Sequence, residues 1–437
     1  MQRNTIAWFT HNQHKPAQIT TAMPDTDSKV KKGALTVDEA REAILAMVPE
    51  PTSIETVALD EAVGRTVANN IVATYNVPHF RNSAMDGYAI RHKDRTHHNR
   101  FKIIGTSLAG HPFTDNLSAG EAIRVTTGAA VPDNADAIII QENASRENDH
   151  IITESTVQAD EYIRNPGDDI QANQILIEAK KELSPSDTGL LAAQGIKQVE
   201  VFPQARIGVF STGDELREPQ ESLGTGQIFD SNRTTIQSLL KLAGFESVDL
   251  GICKDDPEHI NKVLKTADDF DFILSSGGVS VGEADYVKTA LEKNGELLFW
   301  KVAMKPGKPL VTGRLDNGSL YFGLPGNPVS SMVTCIQFVI PAIRAFSGSV
   351  YQPPLTLQAK CLSKIEKAQG RFEFQRGKAD IDVNGELTVS TTGLQDSHVL
   401  NSMSQANCFV CLEQFATGAK PGEMVSIVLF QSYPGFR

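Results

Sequence analysis

The chain has 437 residues, of which 40% are hydrophobic and 22% charged. That is an ordinary globular composition, too long for one core, and it points to roughly three domains of about 150 residues. Forty-one basic against 53 acidic residues leave a net charge of −12, which argues against a general nucleic-acid or anionic-membrane binder.

Residues 1–33 are polar and irregular and lack an apolar h-region, so a disordered leader is expected rather than a signal peptide. No run of 18 apolar residues occurs, so no membrane span is expected. Thr36 and Glu39 form a capping box that opens a helix over 39–47, stopped by Pro49. From about Ile71 to Ile170, short β-rich runs at 101–104, 122–125, 137–141 and 150–153 alternate with Gly, Pro and Asn turns, a compact β-rich domain. A capped helix over 186–194 follows, ended by Gly195. Its character matches the first segment, so 34–70 and 171–204 are read as one discontinuous elongated domain around the 71–170 domain.

Residues 205–353 alternate strand and helix: strands at 207–210, 248–252 and 272–274, helices at 232–242, 257–265 and 285–293. This spacing predicts a doubly wound parallel sheet in an α/β domain. The last helix, 329–346, is nearly all apolar and should be buried. Pro353-Pro354 marks a linker to a small C-terminal β domain over 354–437. The whole is a multidomain α/β protein with additional β-rich domains. Five scattered cysteines, Cys253, Cys335, Cys361, Cys408 and Cys411, suit a reducing compartment such as the cytoplasm. Cys408-Phe-Val-Cys411 lies in a strand-like run, so its thiols should face opposite ways and be structural.

In an open parallel sheet, ligands bind beyond the carboxyl ends of the strands. The segments there are Ser211-Thr-Gly-Asp-Glu215, Cys253-Lys-Asp-Asp-Pro257, Ser275-Ser-Gly-Gly-Val-Ser-Val-Gly-Glu-Ala-Asp285, Lys301-Val-Ala-Met-Lys-Pro-Gly-Lys-Pro309 and Gly323-Leu-Pro-Gly-Asn-Pro328. In the third, Ser275, Ser276 and Ser280 offer hydroxyls, Gly277, Gly278 and Gly282 allow tight backbone, and a helix N-terminus follows, a setting for an anion. Asp214, Glu215, Asp255 and Asp285 are hard oxygen ligands suited to Mg2+. Lys301, Lys305 and Lys308 suit phosphate or another oxyanion. Together they suggest phosphoryl or nucleotidyl chemistry by positioning and charge. There is no GxxxxGK[ST] loop, and GGVSVG is not GxGxxG, which disfavours an ordinary ATPase and dinucleotide redox chemistry. Each piece also has a plainer reading: 255–257 as a helix cap, Asp214-Glu215 as an exposed turn, the lysines as a solvated ribbon.

Six motifs in order, Asn82-Ser-Ala-Met-Asp-Gly-Tyr-Ala89, Thr127-Gly-Ala-Ala-Val-Pro132, Ser211-Thr-Gly-Asp-Glu-Leu216, the Ser/Gly loop from Ser275, Met304-Lys-Pro-Gly-Lys-Pro309 and Gly323-Leu-Pro-Gly-Asn-Pro-Val-Ser330, resemble the molybdopterin molybdenumtransferase family. This is the bacterial MoeA type, also found as the E domain of gephyrin. The resemblance spans about 34–437. It implies an elongated four-domain subunit in a homodimer that joins molybdate to adenylylated molybdopterin and releases AMP, with Mg2+ as cofactor. A molybdopterin adenylyltransferase is then the expected upstream partner, and neither nucleic acid nor membrane is involved.

Carried over residue by residue, Asp86 and Thr127 would face the cleft of a neighbouring copy. Glu215, Asp255 and Asp285 would be acidic catalytic and metal-binding residues, and Lys301 and Lys305 basic catalytic ones. Ser276, Gly277, Gly278, Ser280 and Lys308 remain substrate-binding candidates. Arg376 and Ser397 would approach the oxyanion, with Pro325 and Pro328 shaping the wall. An adenylyltransferase on a similar α/β domain and a non-catalytic pterin-binding scaffold are the rival readings.

Overall fold

The computed structural model describes residues 34–277 and 294–433. The expected helix 285–293, with Gly278, Ser280, Gly282 and Asp285, lies outside the described residues. At the centre is a six-stranded sheet in the order Ser247–Cys253, Ile207–Thr212, Phe272–Ser276, Leu320–Leu324, Pro309–Leu315, Gly295–Lys301. The first four strands are parallel, and the last two pair antiparallel. The all-parallel expectation is therefore corrected to a mixed sheet. The connections at 302–308 and 316–319 explain this, because a parallel crossover needs a dozen residues or more. Two reversals restore the original direction, so Gly295–Lys301 ends on the same edge as the parallel strands.

Both faces of this sheet are covered. Val209, Leu274 and Phe322 bury one face against the apolar C-terminal helix, while Phe210, Ile273 and Tyr321 bury the other against Ile260 and Leu264. That helix runs Pro328–Thr334, then a π-helical turn Cys335–Val339, then Ile340–Phe346. Among the described residues it is the one helix long and apolar enough to cross a membrane, and 72% of its most apolar stretch is buried in the protein. It reads as a core helix.

The first helix, Val37–Met47, carries the expected capping box. Its buried face, Val37, Ala40 and Ile44, joins the core of the α/β sheet. Leu35 reinforces this, donating to the Lys301 carbonyl and accepting from Ala303 N. So this helix does not pack as part of the discontinuous domain in which the sequence grouped it. The rest of that grouping meets through antiparallel pairs, Glu55–Ala58 with Gln198–Val201 and Ile71–Val72 with Ile175–Ile177.

The β-rich domain holds a second six-stranded sheet, including Gly87–Ile90, Glu121–Val125 and Ala137–Ile140. The C-terminal domain holds a third, in which Phe372–Ile381 pairs with both Leu387–Thr391 and Cys408–Leu412 and closes the sheet on itself. Its first strand is Met304–Lys305, which pairs in parallel with Phe372 and Glu373. A piece of the α/β domain is thus built into the C-terminal barrel, across the linker that the sequence placed at Pro353-Pro354. Cys408 packs in the barrel interior and Cys411 against the α/β core, the opposite-face arrangement read from the sequence. Burial raises their thiols to about 11 and about 12, so both stay protonated and structural.

Candidate active site

The carboxyl edge of the central sheet gathers three backbone segments. Gly277 ends the Phe272–Ser276 strand at φ +93°, and a Cβ there would collide with the Thr212 carbonyl oxygen. Its N–H donates to Leu324 O at 3.1 Å. Asn232, at the first turn of helix Asn232–Leu242, donates from Nδ2 to Ser276 Oγ at 2.8 Å and to Gly326 O at 2.7 Å. The loops after Ser276 and Leu324 are thereby tied to each other and to the helix start, with the Thr212 carbonyl close behind Gly277.

The two neighbouring serines have separate fates, because successive side chains leave a strand on opposite faces. Ser275 Oγ lies 2.5 Å from the Tyr321 hydroxyl in the buried core, and Ser276 meets Asn232 at the rim. Ser275 therefore offers no hydroxyl to a ligand. Ser275→Ala should leave the buried Tyr321 hydroxyl unpaired and cost about 1–3 kcal/mol of stability, read by urea unfolding, while the folded protein keeps its activity.

Acidic residues stand beside this rim. Thr212 and Cys253 are register partners on adjacent strands, and Glu215 and Asp255 follow just beyond them. Asp256, not Asp255, caps the helix Pro257–Leu264 through the His259 N–H at 3.2 Å. Asp255 is left to accept from the Thr212 hydroxyl. The Glu215 side chain is exposed and folds over Gly213. Among the described residues no three His, Cys, Asp or Glu side chains form a metal cluster. Two carboxylates at a rim nevertheless fit Mg2+, which keeps several waters and is commonly held by one or two carboxylates plus substrate phosphate.

A cavity of about 330 Å³ opens between the α/β domain and the C-terminal barrel. Lys305, Lys308, Pro325 and Ser397 line it, as does Arg371, which the sequence reading missed. Lys305 Nζ is 3.9 Å from Glu373 Oε1, a carboxylate buried in the barrel, and remains 41% exposed. Ser397 is fixed by two bonds, its Oγ accepting from Asn327 Nδ2 at 3.0 Å and its carbonyl from Val329 N at 3.1 Å. Pro328 sits at the start of that helix and outside the cavity lining. Lys301 is exposed at the end of its strand and is likewise not part of the lining.

Arg376 is the main departure from expectation. It is 1% exposed. Its guanidinium donates to Ser402 Oγ at 3.0 Å and to the carbonyls of Leu394 and Asp396 at 3.3 and 3.1 Å. Burial pulls it down to about 10, so it stays charged at neutral pH. It holds the loop that carries Ser397 from behind, and Arg371 takes its expected place facing the cavity. Inward and outward positions alternate along a strand, so Arg371, just ahead of Phe372–Ile381, and Arg376 within it are easily confused without the register.

In the β-rich domain, Asp86 and Thr127 come together. Asp86 Oδ1 accepts from Thr127 N at 2.7 Å and from Thr127 Oγ1 at 3.0 Å. The Thr127 amide, then its hydroxyl, lowers the Asp86 carboxyl below 3.8. The stabilisation from this bond is complete above the unfolded value and is lost as pH falls through the lower folded one. The Thr127 amide resonance should therefore titrate below the ordinary carboxylate range, and Asp86→Asn should abolish the titration. No residue of this domain lines the 330 Å³ cavity.

Three family models match the chain: the MoeA N-terminal region (domain I and II) over residues 35–195, a probable molybdopterin binding domain over 208–345, and the MoeA C-terminal region (domain IV) over 358–430. A molybdopterin molybdenumtransferase of Haemophilus influenzae is 40% identical over 404 residues, 92% of this chain and 100% of that relative. One from a Nostoc species is 35% identical over 80% of each chain. The crystal structure of a molybdopterin biosynthesis MoeA protein from Pyrococcus horikoshii superposes with a TM-score of 0.79 at 28% identity, covering 91% of this chain and 100% of that one. With three family models matching in order along the chain and a relative 40% identical over 92% of it, the chain belongs to the molybdopterin molybdenumtransferase family.

Proposed function

We propose that this protein is a transferase of molybdenum cofactor biosynthesis that inserts molybdate into adenylylated molybdopterin and releases AMP. The observation that carries the reading is the basic cavity (Lys305, Lys308, Arg371), whose Gly326 wall is tied through Asn232 to the Ser276 rim, on the same sheet edge from which Glu215 and Asp255 follow. Molybdate is a small tetrahedral dianion, and the cavity offers three cations and the Ser397 region to it. The adenylylated pterin is larger and carries a pyrophosphate, for which the Ser276–Gly277 rim supplies a close-approach backbone.

Mg2+, when bound, would be held by Glu215 and Asp255 and would neutralise phosphate charge. Lys305 and Lys308 hold molybdate with an oxygen directed at the adenylyl phosphorus. That oxygen bonds to phosphorus as the pyrophosphate bond breaks. The molybdopterin phosphate is the leaving group; the Mo–O bond to the shared oxygen then breaks as the two dithiolene sulfurs bond molybdenum, so AMP departs carrying that oxygen, and the two thiol protons leave with a second molybdate oxygen as water. The protein contributes proximity and charge neutralisation rather than a covalent nucleophile. The five cysteines have no part in it.

The protein acts in the cytoplasm as a homodimer in which Asp86 and Thr127 of a neighbouring copy complete the cleft. A molybdopterin adenylyltransferase supplies its substrate. Presented with pre-adenylylated molybdopterin, the protein should release AMP only on addition of molybdate. ATP-dependent adenylylation of molybdopterin without that response would instead establish the adenylyltransferase reading.

A further inference from the structure

Glu215 lies near the start of a long excursion of the chain between the strand Ile207–Thr212 and the helix Asn232–Leu242. The excursion is pinned by a two-stranded parallel pair, Leu216–Arg217 with Ile228–Phe229. It is also pinned by backbone bonds from Ile228 N to Glu215 O at 2.9 Å and from Asp230 N to Arg217 O at 3.0 Å. Beneath it sits Arg233, 4% exposed, in the first turn of the helix. Its Nη2 donates to both Glu218 oxygens at 2.6 and 2.8 Å. Its Nε lies 3.2 Å from Asp249 Oδ1 and 3.6 Å from the buried carboxylate of Asp230. Asp249 belongs to the strand Ser247–Cys253, which leads to Asp255. It also accepts from Gly251 N at 2.8 Å, at the register shift where that strand bulges.

The geometry points to Arg233 as a positioning residue that fixes the Glu215 excursion against the strand carrying Asp255, and so sets the spacing of the two rim carboxylates. One guanidinium reaches the excursion, the helix and the bulged strand at once. A planar fork does this, whereas a lysine ammonium is a point charge on a flexible stem. A buried cation matched by three carboxylates is poor evidence for stability alone. Its value here is in holding three segments in one register. The inference rests on the proposed role of Glu215 and Asp255 toward a divalent cation.

The test uses the full-length protein with AMP and Mn2+ as the probe ion, free Mn2+ being followed by its electron paramagnetic resonance signal. Glu218→Gln keeps the buried charges of Arg233 and Asp230, and the exposed Asp249 carboxylate, in place and so guards against a variant that fails to fold. Arg233→Lys keeps the charge without the fork. Both should weaken Mn2+ binding about 5- to 10-fold, and backbone amide exchange over 216–229 should quicken, with the melting temperature of Glu218→Gln close to that of the parent. Mn2+ affinity unchanged in both folded variants overturns the positioning role while the proposed function stands. A parent protein that takes up no Mn2+ overturns both.

Discussion

Gly277→Ala should be among the most damaging single-methyl changes in this protein. Two costs fall on it together. The backbone there is at φ +93°, a conformation that L side chains adopt only with strain, about 1–3 kcal/mol. The added methyl would also strike the Thr212 carbonyl, at the end of a strand held by Cys253 on one side and, through Ser211, by Ser276 on the other. Relief requires the loop after Ser276 to lift away from the strand carrying Thr212, and overpacking of that kind costs about 1–3 kcal/mol more. Urea unfolding should show the sum, about 2–6 kcal/mol. Because Gly277 also donates to Leu324 O, the shift reaches the 325–328 wall, and molybdate-dependent AMP release should fall about 100-fold, the scale on which a 1 Å misplacement acts. Gly318→Ala is the matched control. Gly318 has φ +94° but nothing within 4 Å of its Cβ position, so it bears only the conformational cost and should leave activity unchanged. Equal losses in the two variants would show that close approach at Gly277 is of no consequence.

That contrast marks how far the chain could be read. Turn glycines and the serine-rich loop were legible because local chemistry demands them, and the strand ends were legible because burial imposes continuous apolar runs. The opposed faces of Cys408 and Cys411 followed from the two-residue period. The same period separates Ser275 from Ser276, but which of them faces the core depends on Tyr321, a partner 46 residues away. Arg371 was missed for a similar reason. It enters the site through the parallel pairing of Met304–Lys305 with Phe372 and Glu373, a long-range register that no local pattern encodes. Arg376, placed by motif alone, turned out to brace the cavity wall from within. The antiparallel edge of the sheet was in principle legible, since seven residues between Lys301 and Pro309 cannot hold a crossover helix.

Lys305→Ala should reduce kcat/KM for molybdate about 10²- to 10³-fold, the range seen when a preorganised charge or donor is removed from a reacting oxyanion. The same change takes one cation from beside the Glu373 carboxylate, 3% exposed, leaving Lys367 and Arg376 near it, so a loss of activity by itself has two explanations. The pair is long, 3.9 Å, and its lysine is 41% exposed, which makes it a weak ion pair for stability. Glu373 also keeps a bond from Gln375 Nε2 at 2.9 Å. The double variant Lys305→Ala/Glu373→Gln separates the two explanations, because it removes the carboxylate charge along with the lysine. If Lys305 serves the oxyanion, the double variant melts like the parent and stays as inactive as the single one. Recovery of activity in the double variant would mean that the lysine merely neutralises Glu373. Arg371→Ala supplies the second coordinate. It has no ion pair among the described residues, so its substitution should leave stability unchanged while raising KM for molybdate about tenfold, the effect of about 1.4 kcal/mol of lost binding. Losses at Lys305 and Arg371 that add in free energy would mean that the two cations act independently on one anion. A smaller combined loss would mean that one orients the other.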